Sequence, residues 1–597
     1  MQRGSAVLLV MAAFCSLSYG DSRDLSLVTR NAFEGLGTSR GGLIPLIVTV
    51  GNSGANARGE VVLRTNSLVT TFPVDLPTGS KKQFLAYVPE EANYGEFWVS
   101  LDTDQGSHAY PLKLPQEVAE YICLIGGSTG DMTFLRAANP DAYEMPWRDA
   151  YGKPGSLPDR SIGYSSFNAV VLGEGSERMT DSEVETLKTW VVSGGVLVFI
   201  GGASPAVVSD KRWAPFVPVH SLRQKNVNGL PNIESIAGSP TPNGVISLSQ
   251  GSVAQGAVET FSSRGETIIA QKRVGFGRAI YIAFDPFQPP LKQWKGLRKL
   301  FVNGLSMEST IETRHWVMSR ADPYGEYEYD PTMDAVNSPF QTELPPTGTV
   351  LLILFAHLII SVPLNFYVMR RIGKSEMAWV TTPIISIGFA AIFFSLASGL
   401  YEAGQSTRTH GVLIASHEHD VATFTGKAEV FIPRGGSYDL RLQDVESVAT
   451  GSNYYYDSEQ ALHVVDEGTV RIPDIRVSNL SFNEFYFTQR VADSKFVSVK
   501  AKRVGDNRLD IHLVNLSPFR FDTTSVQCSS ALYQIGTIEP GGEFKGVVQG
   551  HKYTKDPWSQ DSNLAVQATL HGFRAGPQIG EDKGSNLMLL YFGGTPE

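Results

Sequence analysis

At 597 residues the chain is too long for a single hydrophobic core and is read as several domains. Its 60 acidic and 50 basic side chains leave a formal charge of −10 with no basic stripe, which argues against nucleic acid as a partner. Charged residues are only 18% of the chain, and 58 glycines with 33 prolines favour short strands and many turns over long helices.

Residues 1–20 have the form of a cleavable signal peptide. Arg3 precedes an apolar run from Ala6 to Phe14, and small side chains stand at Ser18 and Gly20 before Asp21, where the mature chain is expected to begin. Residues 21–116 then read as a β-sandwich. Leu46, Val48 and Val50 alternate with Ile47 and Thr49, Asn52-Ser53-Gly54 and Pro77-Thr78-Gly79 supply turns, and short apolar runs recur at 61–63, 84–88 and 97–101.

Residues 117–312 change character. Three continuous apolar runs, 121–125, 169–172 and 196–200, end in Gly126-Gly127, Gly173 and Gly201-Gly202, the pattern of strands buried on both faces. Between the last two, Thr180-Asp181-Ser182-Glu183 forms a capping box ahead of Val184, Leu187, Trp190 and Val191 at helical spacing, and Gly194-Gly195 ends the helix. Strand, capped helix and strand make a βαβ unit, so the segment is expected to be a doubly wound α/β domain, with 278–284 closing it as a β-hairpin that reaches Asp285.

Residues 313–348 form a polar, proline-bearing linker. In 349–401, the stretches 350–369 and 379–400 are each long and apolar enough to cross a bilayer as a helix. The loop between them carries Arg370, Arg371 and Lys374, which by the positive-inside rule belongs in the cytoplasm, leaving both flanking domains outside. Trp379 and Tyr401 suit the interfaces, and Pro383 is expected in the first turn of the second span. Ala391, Ser395 and Gly399 share one helix face, read first as packing within the hairpin and second as a seat for another helix. His357 is expected to bond the neighbouring helix, and Asn365 to reach the head groups. Residues 402–597 are β-rich, with runs at 412–415, 429–432, 469–472, 496–501 and 509–514, a turn at Asn515-Leu516-Ser517-Pro518, and an aromatic edge at Tyr454-Tyr455-Tyr456.

The order of these parts resembles a known arrangement. Phe167-Asn168-Ala169-Val170-Val171-Leu172, then 180–195 with Trp190-Val191 before the glycines, then 196–202, resembles the class I glutamine amidotransferase-like fold. More specifically, the chain resembles a widespread group of bacterial membrane proteins of unknown function, in which such a domain follows a β-sandwich and precedes a helix hairpin marked Pro-Leu-Asn-x-x-Val-x-Arg-Arg. Pro363, Leu364, Asn365, Val368, Arg370 and Arg371 stand in that pattern, and Ile535-Gly536-Thr537-Ile538-Glu539-Pro540-Gly541 extends the likeness toward the end of the chain. The resemblance implies architecture and a place in the bacterial cytoplasmic membrane; it carries no settled activity.

Chemistry is sparse. An amidotransferase needs a cysteine at a strained strand-to-helix turn with a histidine base, and the turn at Gly201-Gly202-Ala203-Ser204-Pro205 holds none. Ser204 lacks a G-x-S-x-G frame, Cys123 lies within an apolar strand, and nothing orients His220. Cys123 and Cys528 fall in separate domains, so no disulfide is expected between them, and His417-Glu418-His419 is not a zinc motif. No catalytic residue, cofactor or metal is assigned. Gly126, Gly127, Gly173, Gly201, Gly202 and Asp285 would gather at the carboxyl edge of a parallel sheet and are the ligand-binding candidates, against the simpler reading that such glycines make tight turns. The expected function is that of an extracytoplasmic binding or scaffold protein in contact with the lipid bilayer and an envelope partner. An accessory part of an ABC-type transport system and a hydrolase with an unrecognised nucleophile are the alternatives.

Overall fold

The computed structural model describes residues 18–21, 24–37, 43–65, 68–89, 97–112, 119–136, 146–203, 205–305, 347–402, 405–432, 434–450, 461–477, 481–505, 507–528, 531–552, 564–573, 575–576, 581–582 and 585–592. Most of the expected signal peptide, the linker, Ser204 and Tyr454-Tyr455-Tyr456 lie outside them. At the signal boundary, Ser18–Asp21 pairs antiparallel with Leu25–Asn31, so cleavage after Gly20 would remove most of that edge strand.

The first β-rich segment packs two sheets face to face. Leu25–Asn31, Leu43–Asn52 and Lys81–Pro89 form one, and Ala57–Arg64, Leu68–Leu76, Trp98–Thr103 and Gly106–Pro111 belong to the other. The alternation read from the sequence decides which side faces in. Leu46, Val48 and Val50 enter the core with Val61, Leu63, Val99 and Leu101. Ile47 points the opposite way, yet it is buried as well, because the α/β domain packs over that face.

That domain is built on five parallel strands: β1 (Glu120–Ile125), β2 (Trp147–Gly152), β3 (Phe167–Leu172), β4 (Val196–Ile200) and β5 (Gly277–Ile282). Their spatial order is β2-β1-β3-β4-β5, an order found in doubly wound open sheets. Every residue of β3 and β4 is buried, as their unbroken apolar character requires. The single long helix among the domain's described residues, α1 (Asp181–Val192), crosses from β3 to β4, and the capping box forms as expected: Thr180 Oγ1 accepts from Glu183 N at 3.2 Å, and Glu183 Oε2 accepts from Thr180 N at 2.8 Å. The other Glu183 oxygen accepts from Gly155 N and Leu157 N, both at 2.9 Å, so the cap also secures the loop after β2. The segment read as a closing hairpin does pair antiparallel with Glu266–Val274, but it is also the fifth parallel strand, lying beside β4. A short strand from the first sandwich, Phe33–Glu34, caps the far edge against β2.

Beyond the hairpin, a ten-stranded sheet containing Ser406–Ser416, Val421–Ile432, Ser481–Arg490 and Asn586–Phe592 packs against Val497–Gly505, Arg508–Asn515 and Glu543–Gln549. The two β-rich segments are continuous. Leu462–Asp466 runs parallel to Leu68–Leu76, with Leu68 opposite Leu462 and Thr71 opposite Val465, and Thr71 Oγ1 lies 2.9 Å from His463 Nε2. Chain from before and after the apolar hairpin therefore shares one seven-stranded sheet.

The hairpin itself has two helices long and apolar enough to cross a membrane, over Gly348–Arg371 and Ser375–Ser395. Only 11% and 6% of their apolar windows are buried, unlike the core helix of a soluble domain, and large side chains such as Trp379 (87% exposed) point outward. A π-helical turn, Ile360–Leu364, accommodates Pro363. The second helix runs Ala378–Glu402, so Pro383 lies in its second turn rather than its first.

Candidate functional site

Because β1, β3, β4 and β5 are parallel, the ligand-binding candidates do reach one end of the sheet. What they do there is close the chain on itself. Gly126 N donates to Gly152 O at 3.2 Å, Gly127 N to Glu174 O at 2.7 Å, and Gly173 N to Ile125 O at 3.0 Å. Gly201 N donates to Ile282 O at 2.8 Å and Gly202 N to Ala283 O at 3.0 Å, while Ser249 Oγ donates to Gly202 O at 2.6 Å. All five amides are spent on backbone carbonyls, so none is left to cradle an anion. At Gly126 a Cβ would stand 2.5 Å from Glu174 O, and at Gly202 2.7 Å from Asp285 Cβ, both at positive φ. These two glycines are set by close approach of neighbouring chain.

Asp285 accepts from Phe287 N at 2.8 Å. Burial, with Asp131 and Glu174 nearby, pushes its carboxyl up to about 6 despite Lys292. Lys292 is held by Asp131 at 2.8 Å. Among the described residues no group of three or more His, Cys, Asp or Glu side chains could hold a metal ion. Cys123 is wholly buried, and burial pushes its thiol well above the ordinary range. His220 is exposed on the two-stranded ribbon formed by Val219–Asn228 and Val245–Val253, so these two do not form a nucleophile–base pair. Cys123 and Cys528 are both free thiols in the interior.

A dense set of polar contacts lies elsewhere, at a junction of the first sandwich, the α/β domain and the C-terminal β-rich segment. Arg160 Nη2 meets Asp466 Oδ2 at 2.5 Å, and its Nη1 donates to Glu446 O at 3.4 Å. Glu446, 4% exposed, accepts from Ser161 Oγ and from Ile162 N at 3.0 Å. On the other side Tyr87 Oη donates to Asp159 Oδ1 at 2.5 Å and accepts from Arg160 N at 3.1 Å, with the guanidinium 5.4 Å above the Tyr87 ring. Burial and then Asp159 raise the Tyr87 hydroxyl far above the usual range, keeping it a donor. Sequence reasoning missed this clasp. Its partners are separated by up to 306 residues, and no local spacing signals them.

Within the hairpin, Asn365 turns inward instead of reaching the head groups. It is 6% exposed, donates to Thr382 Oγ1 at 3.0 Å and Ala378 O at 3.3 Å, and accepts from Thr381 Oγ1 at 2.7 Å. His357 Nε2 lies 3.2 Å from Ser386 Oγ, the expected bond to the neighbouring helix. Substitution of Asn365 by leucine is expected to destabilise the hairpin by about 1–2 kcal/mol, read as a lower melting midpoint in mild detergent; an unchanged midpoint would make the cluster dispensable. Ala391 and Ser395 are exposed on the second helix, and Gly399 continues the same helix. Arg370, Arg371 and Lys374 sit at the tip, where Gly373 N bonds Arg370 O and Lys374 N bonds Met369 O.

Comparison with known proteins adds little about activity. Residues 24–115 match the family model of a domain of unknown function, DUF8726, a span that coincides with the first sandwich. No curated protein sequence matches the chain. Among solved structures, a cytoplasmic protein of Salmonella typhimurium LT2 is 15% identical with a TM-score of 0.25, over 32% of this chain and 99% of that one. The exo-β-1,4-mannosidase of Opitutaceae bacterium strain TAV5 is 13% identical with a TM-score of 0.21, over 32% and 35% of the two chains. The yeast delta-COP-I mu-homology domain is 9% identical with a TM-score of 0.18, over 32% and 97%. At these TM-scores the likenesses carry no argument. What the matches establish is limited to a similarity between the first sandwich and that domain model.

Proposed function

We propose that the protein is a membrane-anchored extracytoplasmic scaffold, an accessory subunit of an envelope complex, whose α/β domain keeps an amidotransferase-like sheet as a binding surface without the nucleophile. The observation that carries this reading is the shared sheet. Pairing of 68–71 with 462–465 requires that the chain before and after the hairpin be on one side of the membrane. A two-helix excursion with Arg370, Arg371 and Lys374 at its tip meets that requirement with the tip in the cytoplasm. The spent glycine amides and the buried Cys123 support a role without catalysis.

The test combines topology and partners. In intact cells, Ser375→Cys is expected to resist a membrane-impermeant maleimide while Gln105→Cys reacts; Cys123 and Cys528, buried in the fold, give no background. Crosslinking and purification in mild detergent should then recover a membrane protein, lost when Ala391 and Ser395 are enlarged to leucine. A labelled Ser375→Cys in sealed cells would sink the topology. Purification of the protein alone, active on a substrate, would sink the scaffold reading.

A further inference from the structure

The turn at residues 417–420 joins Ser406–Ser416 to Val421–Ile432 in the C-terminal sheet, and it projects onto the α/β domain. Val421 (6% exposed) belongs to the same core cluster as Phe199, Trp213 and Phe216 of that domain. The His419 ring lies 5.0 Å from the Phe216 ring; Phe216 in turn packs edge-on to Trp213 at 5.8 Å, and Trp213 to Phe199 at 5.7 Å. The imidazole is therefore a foreign ring seated at the end of a row of edge-packed aromatic rings. Its Nδ1 is buried and makes no hydrogen bond, an arrangement that suits a neutral ring and leaves a charged one without an acceptor there.

The charges around the seat are unbalanced. From the α/β domain, Lys272 approaches with its Nζ bonded to Pro215 O at 2.8 Å, and Lys188 lies 5.9 Å over the Trp213 ring. Lys188 is already paired with Glu185 at 2.7 Å, and nearby Asp210 is taken up by Arg212 at 2.7 Å. On the turn itself, Asp420 accepts from Ser494 Oγ at 2.8 Å, and Glu418, an exposed residue, is the acid that favours a charge on His419.

We propose that His419 is an acid-sensitive latch between the two lobes: neutral, it docks the 417–420 turn against Phe216, and its protonation beside Lys272 and Lys188 loosens that contact. Burial, then the two lysines against Glu418, hold the docked ring down to about 4 from an ordinary 6.5. The sign follows. Docking is at full strength above the free-ring value, weakens as pH falls from 6.5 toward 4, and levels off below, where the ring is charged in both states. A depression of this size corresponds to a docking constant lower at pH 4 than at pH 7 by on the order of 100-fold.

Hydrogen exchange on the full chain in mild detergent, corrected for the intrinsic pH dependence of exchange, reads the contact at residues 213–219 and 417–421. Wild-type protein should lose protection there between pH 7 and 4.5 while 160–162, held by Glu446, stay protected. His419→Phe, which keeps an aromatic ring, should retain protection throughout, and His419→Arg should lack it already at pH 7. Should His419→Phe misfold, Lys272→Met serves instead: with one ammonium gone, the acid-dependent loss should shrink. His410, also half-buried and also held down to about 4 by burial and Arg408, is the control, and His410→Phe should leave the loosening in place. The latch is refuted if His419→Phe loosens as the wild type does, if His419→Arg stays protected at pH 7, if Lys272→Met loosens in acid as much as the wild type, or if His410→Phe abolishes the effect.

Discussion

Replacing Glu446 with alanine is expected to release the α/β domain from the C-terminal sheets before either unfolds, turning one thermal transition into two. The side chain is buried and holds Ser161 Oγ and Ile162 N; without it the buried Ser161 hydroxyl and the half-buried Ile162 amide both lose their acceptor. Each orphaned donor costs about 1–3 kcal/mol. Arg160 bonds Asp466 and the Glu446 backbone carbonyl rather than the Glu446 side chain, and Arg160→Met should behave similarly, since removing one partner of a buried pair costs about 3–5 kcal/mol. A double-mutant cycle with Asp466→Asn isolates the pairwise part, because Asp466 meets the same guanidinium. Calorimetry of the detergent-solubilised protein reads the result. A single transition at the wild-type midpoint would mean that the lobes are held together mainly by the apolar contacts around Val421 and Ile47, and the clasp would lose its standing.

The second large effect concerns Gly126, where the comparison with Gly175 separates two reasons for a glycine. Both have positive φ, +75° and +91°. An alanine pays about 1–2 kcal/mol for that conformation at either place. At Gly175 nothing lies within 4 Å of the added methyl, so the cost ends there. At Gly126 the methyl would meet Glu174 O at 2.5 Å and Ser176 N at 2.8 Å, backbone atoms that cannot rotate aside. Overpacking of this kind adds about 1–3 kcal/mol. Gly126→Ala is therefore expected to lower the denaturation midpoint well beyond Gly175→Ala. Equal losses would show that the 173–176 loop yields easily and that the carboxyl edge of the sheet is more open than its hydrogen bonds suggest.

The two substitutions also divide what was legible in the sequence from what was not. Continuous apolar runs announced β1, β3 and β4, because burial on both faces leaves no room for polar alternation. β2 went unread: Trp147–Gly152 carries Arg148 and Asp149, and the buried Asp149 is compensated by Arg136, which bonds both of its oxygens. The glycines at the strand ends were visible as a set, but their role was not, since a missing Cβ looks the same beside a ligand and beside Glu174 O. Asn365 showed the same limit. Its depth in the helix was readable, whereas its direction depended on Thr381 and Thr382 across the hairpin.

By itself the sequence determined everything that local chemistry controls. Thr180 and Glu183 set the start of α1, because both capping bonds form within four residues. The period of Leu46, Val48 and Val50 set the inward face of its strand, and the length and apolarity of the two spans marked them as candidates for a bilayer. Tertiary structure alone decided the rest: that residues 68–71 pair with 462–465, that Arg160 finds Asp466, that Asn365 finds Thr381 and Thr382, and that His419 ends an aromatic row in another lobe. Each of these joins groups far apart in the chain or depends on which face a neighbour covers. Such contacts are chosen by the packing of whole sheets and leave no periodic trace at either end.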